Sequence, residues 1–240
     1  MAIDWSHDDS PGLRAAFDEL TELLVREESL ETVLQRVVAL ARSGIGACDL
    51  ASVTYMHDGP PSTIVCTDSA AEEIDQAQYD HDAGPCLEAF RTRQLVSVPS
   101  MADDDRWPAF RGAALSHGVQ SSLSLPLASG NADVGALNLY GRVDHAFNSV
   151  APNDAVLFAK QAAAAIWATR TLGNVRDLVA NLEVAIQTRD MIGMAKGVIM
   201  VNEKVTPDEA FKFLQAASQQ RNIKLRDIAA QVVATGTTPT

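Results

Sequence analysis

At 240 residues, with 47% of them apolar, the chain can bury a real core and is long enough for one large domain or two small ones. Its net charge of −12 argues against a protein devoted as a whole to nucleic acid. The charge is uneven, however: residues 171–240 hold 8 basic side chains (Arg176, Arg189, Lys196, Lys204, Lys212, Arg221, Lys224, Arg226) against 7 acidic ones, which leaves 11 basic and 24 acidic for residues 1–170. An acidic body with a near-neutral, locally basic tail suggests two functional units.

The opening stretch, MAIDWSHDDSPG, is acidic and lacks the apolar core of a signal peptide. Ser10-Pro11 predicts a helix start, followed by Leu13, Phe17, Leu20 and Leu24 at helical spacing. Ser29 can cap a second helix that carries Leu30, Val33, Leu34, Val37 and Ala41 on one side, with Gly44 and Gly46 to stop it. The middle changes character. Ala51, Val53 and Tyr55 alternate with Ser52 and Thr54, the pattern of a strand with one wet face. His57 to Pro61 predicts a turn and Thr63 to Cys66 a returning strand. Ser69-Ala-Ala-Glu72 has the form of a capping box and opens a short helix. After the Gly84-Pro85 breaker, Cys86 to Thr92 predicts a short helix and Leu95 to Val98 a strand.

Pro108 to His117 predicts another short helix, ended by Gly118. Leu123, Leu125 and Leu127 alternate with Ser124 and Pro126, and residues 135–140 return after a polar turn over residues 128–134. Pro126 marks an edge or a bulge. Hairpins joined by short helices imply an antiparallel sheet and an α+β domain. Asn153 to Leu172 is a long alanine-rich helix. Its longest apolar run, Ala162 to Ala168, is too short to span a bilayer, and the chain reads as cytoplasmic.

Residues 175–201 extend the helical pattern. Gly173-Asn174 is the only weak point before them, and glycine costs only about 1 kcal/mol inside a helix, so the two helices can be nearly continuous. Such a rod would carry movement from the first domain to the second. Val175, Leu178, Leu182 and Ile186 form an apolar stripe, and Arg189 and Lys196 follow on it seven residues apart. Seven residues are two turns less about 20°, so both cations project from one face, roughly 10 Å apart along the axis. Such a seam can pair with another helix at one end and hold an anion at the other. Thr206-Pro207-Asp208-Glu209 combines an N-cap, an N1 proline and a capping box. Ala210, Phe211, Leu214 and Ala217 stripe the helix that follows, and Phe211 fits its core. Residues 221–224 make a tight break before a last short helix lined by Leu225, Ile228, Ala229 and Val232.

Residues 189–233 resemble the ANTAR family of RNA-binding antitermination modules. The resemblance is carried by Arg189, Ile192, Ala195-Lys196-Gly197, Ile199-Met200, Ala210-Phe211, Leu214, Ser218, Asn222, Leu225, Ile228 and Ala229. It implies a three-helix domain that dimerises through its long helix and binds hairpin RNA in nascent transcripts. Arg189 and Lys196 are then the first candidates for RNA contact, the cluster Arg221, Lys224 and Arg226 the second, and Lys204 the third. The competing reading of each is a solvated surface cation.

Residues 20–170 resemble a GAF domain, in the form that often precedes ANTAR in actinobacterial regulators. The residues concerned are Gly84-Pro85-Cys86-Leu87-Glu88-Ala89, Asp105-Arg106-Trp107-Pro108, residues 122–127 and residues 135–140. This resemblance implies terminal helices on one face of an antiparallel sheet and a small-molecule pocket on the other. The expected organisation is a sensor domain over residues 1–172 and an RNA-binding domain over residues 173–240, acting as a homodimer.

Cys48, Cys66 and Cys86 form no CxxC and no Cys/His pair of zinc spacing, and their odd, sparse count fits a reducing compartment. Cys86, near a helix start, is a candidate redox sensor through a lowered pKa, against the commoner buried structural thiol. His81 and Asp82 beside it read as a polar loop, since no third catalytic member follows. Trp107 either lines a ligand pocket or plugs the core, and core packing is favoured. No nucleotide-binding glycine loop, metal signature or nucleophile elbow appears, so no enzyme activity, cofactor or metal is expected. The competing functions are a DNA-binding regulator using the last two helices and a thiol or small-molecule sensor acting through protein contacts.

Overall fold

Alternating residues between Leu50 and Gly141 build a five-stranded antiparallel sheet in the computed structural model, which describes residues 11–23, 28–56, 59–129 and 132–239. Ser10, Leu24 and the His57-Asp58 turn lie outside the described residues. Contacts divide the chain into two compact units, Met1–Leu172 and Gly173–Thr240.

In the first unit the elements run α1 (Pro11–Leu23), α2 (Leu30–Gly44), β1 (Leu50–Tyr55), β2 (Ser62–Cys66), α3 (Ser69–Asp80), α4 (Pro85–Thr92), β3 (Val96–Val98), α5 (Pro108–Ser116), β4 (Ser121–Ser129) and β5 (Ala132–Gly141). The strand order is β2-β1-β5-β4-β3. The fold is α+β, as the hairpin pattern predicts. Helix α6 (Pro152–Glu203) is one helix of 52 residues with Gly173-Asn174 inside it, and it contributes to both units.

Period-two alternation sends Ala51, Val53, Leu123, Leu125, Leu127, Leu137 and Leu139 to one face, where they pack with α1, α2 and the first part of α6 in the main core. The opposite face is covered by α3 on β1 and β2 and by α4 on β4 and β5. A second apolar cluster (Ile74, Val98, Met101, Phe110, Tyr140) closes that side next to α5. Ser29 caps α2, its side chain accepting from Thr32 N–H. The box expected at Ser69 is displaced: Asp68 is the N-cap of α3, and its carboxylate accepts from Ala70 N–H. Pro126 pairs with Ala136 on β5, while β3 reaches only Ser122–Ser124, so the proline lies where β3 no longer flanks β4.

The second unit continues from α6 into α7 (Pro207–Arg221) and α8 (Leu225–Thr235). Ala195 and Ile199 of α6, Ala210, Leu214 and Ala217 of α7, and Ile228, Ala229 and Val232 of α8 form its buried core. Asn202 Nδ2 donates to the Gly236 carbonyl at 2.8 Å, tying the end of α6 to the end of α8. The capping box of α7 is complete. Glu209 N–H donates to Thr206 Oγ1 at 3.4 Å, and Thr206 N–H donates to Glu209 Oε2 at 2.9 Å. Thr206→Ala is expected to cost about 1 kcal/mol, read as a lower midpoint for helix loss in this unit. The Thr206 bonds also hold the Glu209 carboxyl below its usual range. Its contribution is therefore complete above the ordinary carboxylate pKa and is lost as pH falls through the lowered one.

Candidate functional site

The candidate cations of the helical unit stand in three places. Arg189 is exposed on α6, two turns before the half-buried Lys196. The Lys196 ammonium stands 5.9 Å from the centroid of the Phe211 ring. Lys196 is thus held against α7 by a cation–π contact while remaining open to solvent. The expectation that Phe211 lies in the core is corrected: Ala210, Leu214 and Ala217 are buried beside it, but the ring is half-exposed and forms the seat of Lys196. Arg221 ends α7, Asn222 follows at φ +52°, and Lys224 is the N-cap of α8. Ser218 Oγ donates to the Ile223 carbonyl at 2.6 Å and fixes this turn. Arg226 forms an exposed ion pair with the neighbouring Asp227 at 3.4 Å. Lys204 follows the end of α6 at φ +58°, an unusual backbone for a lysine, on the exposed surface. Ahead of Arg189, the apolar stripe on α6 lies open, with Leu182 54% and Ile186 61% exposed.

The first unit holds an arrangement that the sequence pattern does not predict. Ser52 and Thr54, expected on a wet face, are fully buried, because α3 and α4 cover them. Asp75 of α3 descends into this layer and is fully buried. Its Oδ1 accepts from Tyr140 Oη at 2.5 Å, from Asn138 Nδ2 at 2.9 Å and, more weakly, from Gln78 Nε2 at 3.5 Å. Its Oδ2 accepts from Ser52 Oγ at 2.6 Å and Thr63 Oγ1 at 2.9 Å. All five donors are neutral. Burial pushes the Asp75 carboxyl up to about 6, with the bonds from Ser52 and Tyr140 pulling the other way. The available signal was the helical spacing of Asp75, Gln78 and Tyr79 opposite strands that alternate with serine, threonine and asparagine.

Cys86 belongs to this layer. It is buried, its Sγ donates to Thr54 Oγ1 at 3.2 Å, and its N–H donates to Gln78 Oε1 at 2.9 Å. The lowered pKa expected from the helix start is corrected, since burial pushes the thiol up to about 12. Cys86 is expected to resist a soluble thiol reagent in the folded protein at pH 8 and to react once the chain is unfolded in urea, read by peptide mass spectrometry; native labelling at the rate of an open thiol would contradict this placement. His81 Nδ1 lies 3.0 Å from the Ala77 carbonyl, and Asp82 pairs with Arg91, so neither joins Cys86. Trp107 is half-buried against the second apolar cluster, with the Arg106 guanidinium 4.3 Å from its ring centroid.

Two grooves open beside α2 on the β2 edge of the sheet. One, of about 580 Å³, is lined by residues including Val38, Arg42, Cys48 and Cys66. The other, of about 440 Å³, is lined by residues including Leu34, Tyr55, Ile64 and Ile166. Among the described residues no group of three or more His, Cys, Asp or Glu side chains is placed to hold a metal ion. No helix among them is long and apolar enough to cross a membrane.

Comparison with known proteins finds two family matches along the chain. Residues 27–166 match the GAF domain and residues 180–233 the ANTAR domain. An ANTAR domain implies RNA-binding antitermination, and a GAF domain is a sensory module. Among curated proteins none matches the chain. Among solved structures, free methionine-R-sulfoxide reductase from Neisseria meningitidis is similar at 14% identity and a TM-score of 0.52, over 71% of this chain and 98% of that one. The GAF domain from a phosphoenolpyruvate-protein phosphotransferase of Coxiella burnetii gives 14% identity and a TM-score of 0.52, over 70% and 99%. At these identities the likeness is one of fold alone.

Proposed function

This chain belongs to the GAF domain family and carries an ANTAR domain after it, and from that premise we propose that it is a cytoplasmic, homodimeric regulator of transcription antitermination. The sensor domain spans residues 1–172 and the RNA-binding domain residues 173–240, in the arrangement of actinobacterial GAF–ANTAR regulators. The RNA-binding domain takes hairpin RNA from nascent transcripts and so prevents terminator formation. Arg189 and Lys196 contact the RNA backbone first, with Arg221, Lys224 and Arg226 around the α7–α8 turn, and Lys204, as further contacts. Two copies pair along the open stripe of α6 that ends at Ile186. A small-molecule effector at the sensor domain is the proposed input, and no catalytic step or cofactor belongs to this function.

The observation that supports this reading best is the open side of α6 within the ANTAR match. Exposed Leu182 and Ile186 are followed along the helix by exposed Arg189 and then by Lys196, which is half-exposed. Hairpin RNA offers phosphates and splayed bases that such cations can hold. The test is a competition in which labelled hairpin RNA bound to the full chain is challenged with unlabelled hairpin and with duplex DNA at one salt concentration. Displacement by hairpin at far lower concentration than by duplex is expected; duplex winning throughout would replace this function with a DNA-binding one.

A further inference from the structure

The polar layer of the sensor unit contains a chain of hydroxyls, from buried Thr54 to half-buried Tyr79 and Thr63, whose direction can be assigned. Thr63 donates its one proton to Asp75 Oδ2. Tyr79 Oη, 2.8 Å from Thr63 Oγ1, must therefore donate to it. Thr54 Oγ1, 2.7 Å from Tyr79 Oη, must donate in its turn, and it accepts from Cys86 Sγ and from Asn138 Nδ2 at 3.0 Å. An ionised Asp75 thus orients a one-way path from Cys86 through Thr54, Tyr79 and Thr63. The path crosses α4, β1, α3 and β2.

The titratable groups facing Asp75 are all acids. Tyr79 stands on the same helix, Tyr140 on β5 and Cys86 on α4, and Cys66 at the end of β2 feels its charge. Burial pushes each of these four above its ordinary value, so they stay neutral while Asp75 titrates. From β1 and β2 the facing groups are Ser52, Thr54 and Thr63, and from β5 also Asn138, none of which titrates.

A protonated Asp75 has to donate, yet its hydroxyl neighbours Ser52, Thr63 and Tyr140 all donate to it already. One of them has to turn. Thr63 is the neighbour whose turning can propagate, because Tyr79 and Thr54 behind it each give one proton and can accept another. We propose that this layer is a proton-operated switch: Asp75 takes one proton from solvent, and reversal of the Thr63, Tyr79 and Thr54 hydroxyls carries that event to Cys86 at the start of α4. No electron or covalent bond moves; one O–H bond forms on the carboxylate, and each hydroxyl rotates. The raised proton affinity of Asp75 puts the event near pH 6. The folded form holds this proton more tightly than the unfolded chain does. Asp75 therefore contributes stability below the ordinary carboxyl range and loses it as pH rises through about 6. The switch goes beyond the RNA-binding reading and stands if that reading fails.

The test is a carbon-13 NMR titration of the full chain, labelled at aspartate carboxyl and tyrosine ring carbons, between pH 4 and 8. One aspartate is expected to titrate with a midpoint near pH 6, and its resonance is absent in Asp75→Asn. The Tyr79 ring, assigned with Tyr79→Phe, is expected to shift with the same midpoint. Thr63→Val, which removes one donor from the ionised carboxylate, is expected to raise the Asp75 midpoint and to uncouple Tyr79 from it. If Asp75→Asn does not fold, the upward move in Thr63→Val makes the assignment. An Asp75 midpoint in the ordinary range near pH 4, or a Tyr79 ring that ignores the Asp75 titration in the unaltered protein, overturns the switch.

Discussion

Lys196→Glu is expected to weaken binding of hairpin RNA by roughly ten- to a hundred-fold at fixed salt, or about 1.4–2.7 kcal/mol. The whole chain carries −12, so its long-range field repels RNA and binding must come from local contacts. Lys196 is held in place by Phe211, which reduces the freedom an ordinary surface lysine would lose on binding. On the proposed function, charge reversal removes one phosphate partner and puts a repulsive carboxylate in its place. The control is Lys160→Glu, which makes the same change in net charge at an exposed position of the other unit. If both variants bind equally well, Lys196 is only a solvated cation. The neutral variant Lys196→Gln separates the two effects, because losing one phosphate contact lowers the slope of log affinity against log salt by about 0.7–0.9. Phe211→Leu keeps an apolar side chain and every charge. It is expected to weaken binding several-fold with the slope unchanged, since it removes only the seat of the lysine.

Gly135→Ala is expected to prevent the sensor unit from folding, or to cost it about 4 kcal/mol or more. Gly135 sits at φ +154°, at the point where β5 pairs with Tyr55 of β1. A Cβ built there lies 1.8 Å from the Thr54 carbonyl oxygen and 3.1 Å from the Tyr55 Cα. Both are backbone atoms of the paired strand and cannot swing aside as a side chain would. The pair has to open, which separates Val53 from Leu137 in the main core and shifts the Thr54 side of the polar layer. Gly112→Ala is the comparison. No atom lies within 4 Å of a Cβ there, and the position is exposed within α5, so a gain of about 0.4–1 kcal/mol is expected. Trp5, Trp107 and Trp167 all fall within residues 1–172, so fluorescence during urea unfolding follows this unit. An unfolding midpoint within error of the unaltered protein would show that β1 and β5 are not paired as described.

What the sequence determined by itself was most of what depends on neighbours along the chain. Capping at Ser29 and Thr206 is a matter of three or four consecutive residues, and both caps stand where the pattern predicts. The same holds for the α6 stripe and for the spacing of Arg189 and Lys196, which an α-helix fixes at 100° per residue. Asp68 displaced Ser69 as a cap because either side chain can accept from an open N–H, and only the backbone path chooses between them.

The tertiary structure decided what covers each surface. Alternation told that Ser52 and Thr54 lie opposite Val53, but no local pattern says whether water or a helix from twenty residues further on meets them. Nothing in the sequence sets Asp75 apart; it is singled out only when its helix is laid on the sheet, where Ser52, Thr63, Asn138 and Tyr140 reach it from three strands. Phe211 likewise belongs to an apolar stripe in sequence, yet packing leaves its ring half-open beneath Lys196. Periodicity records the direction in which a side chain points; the burial and charge state of that side chain depend on residues far along the chain, which only folding brings near.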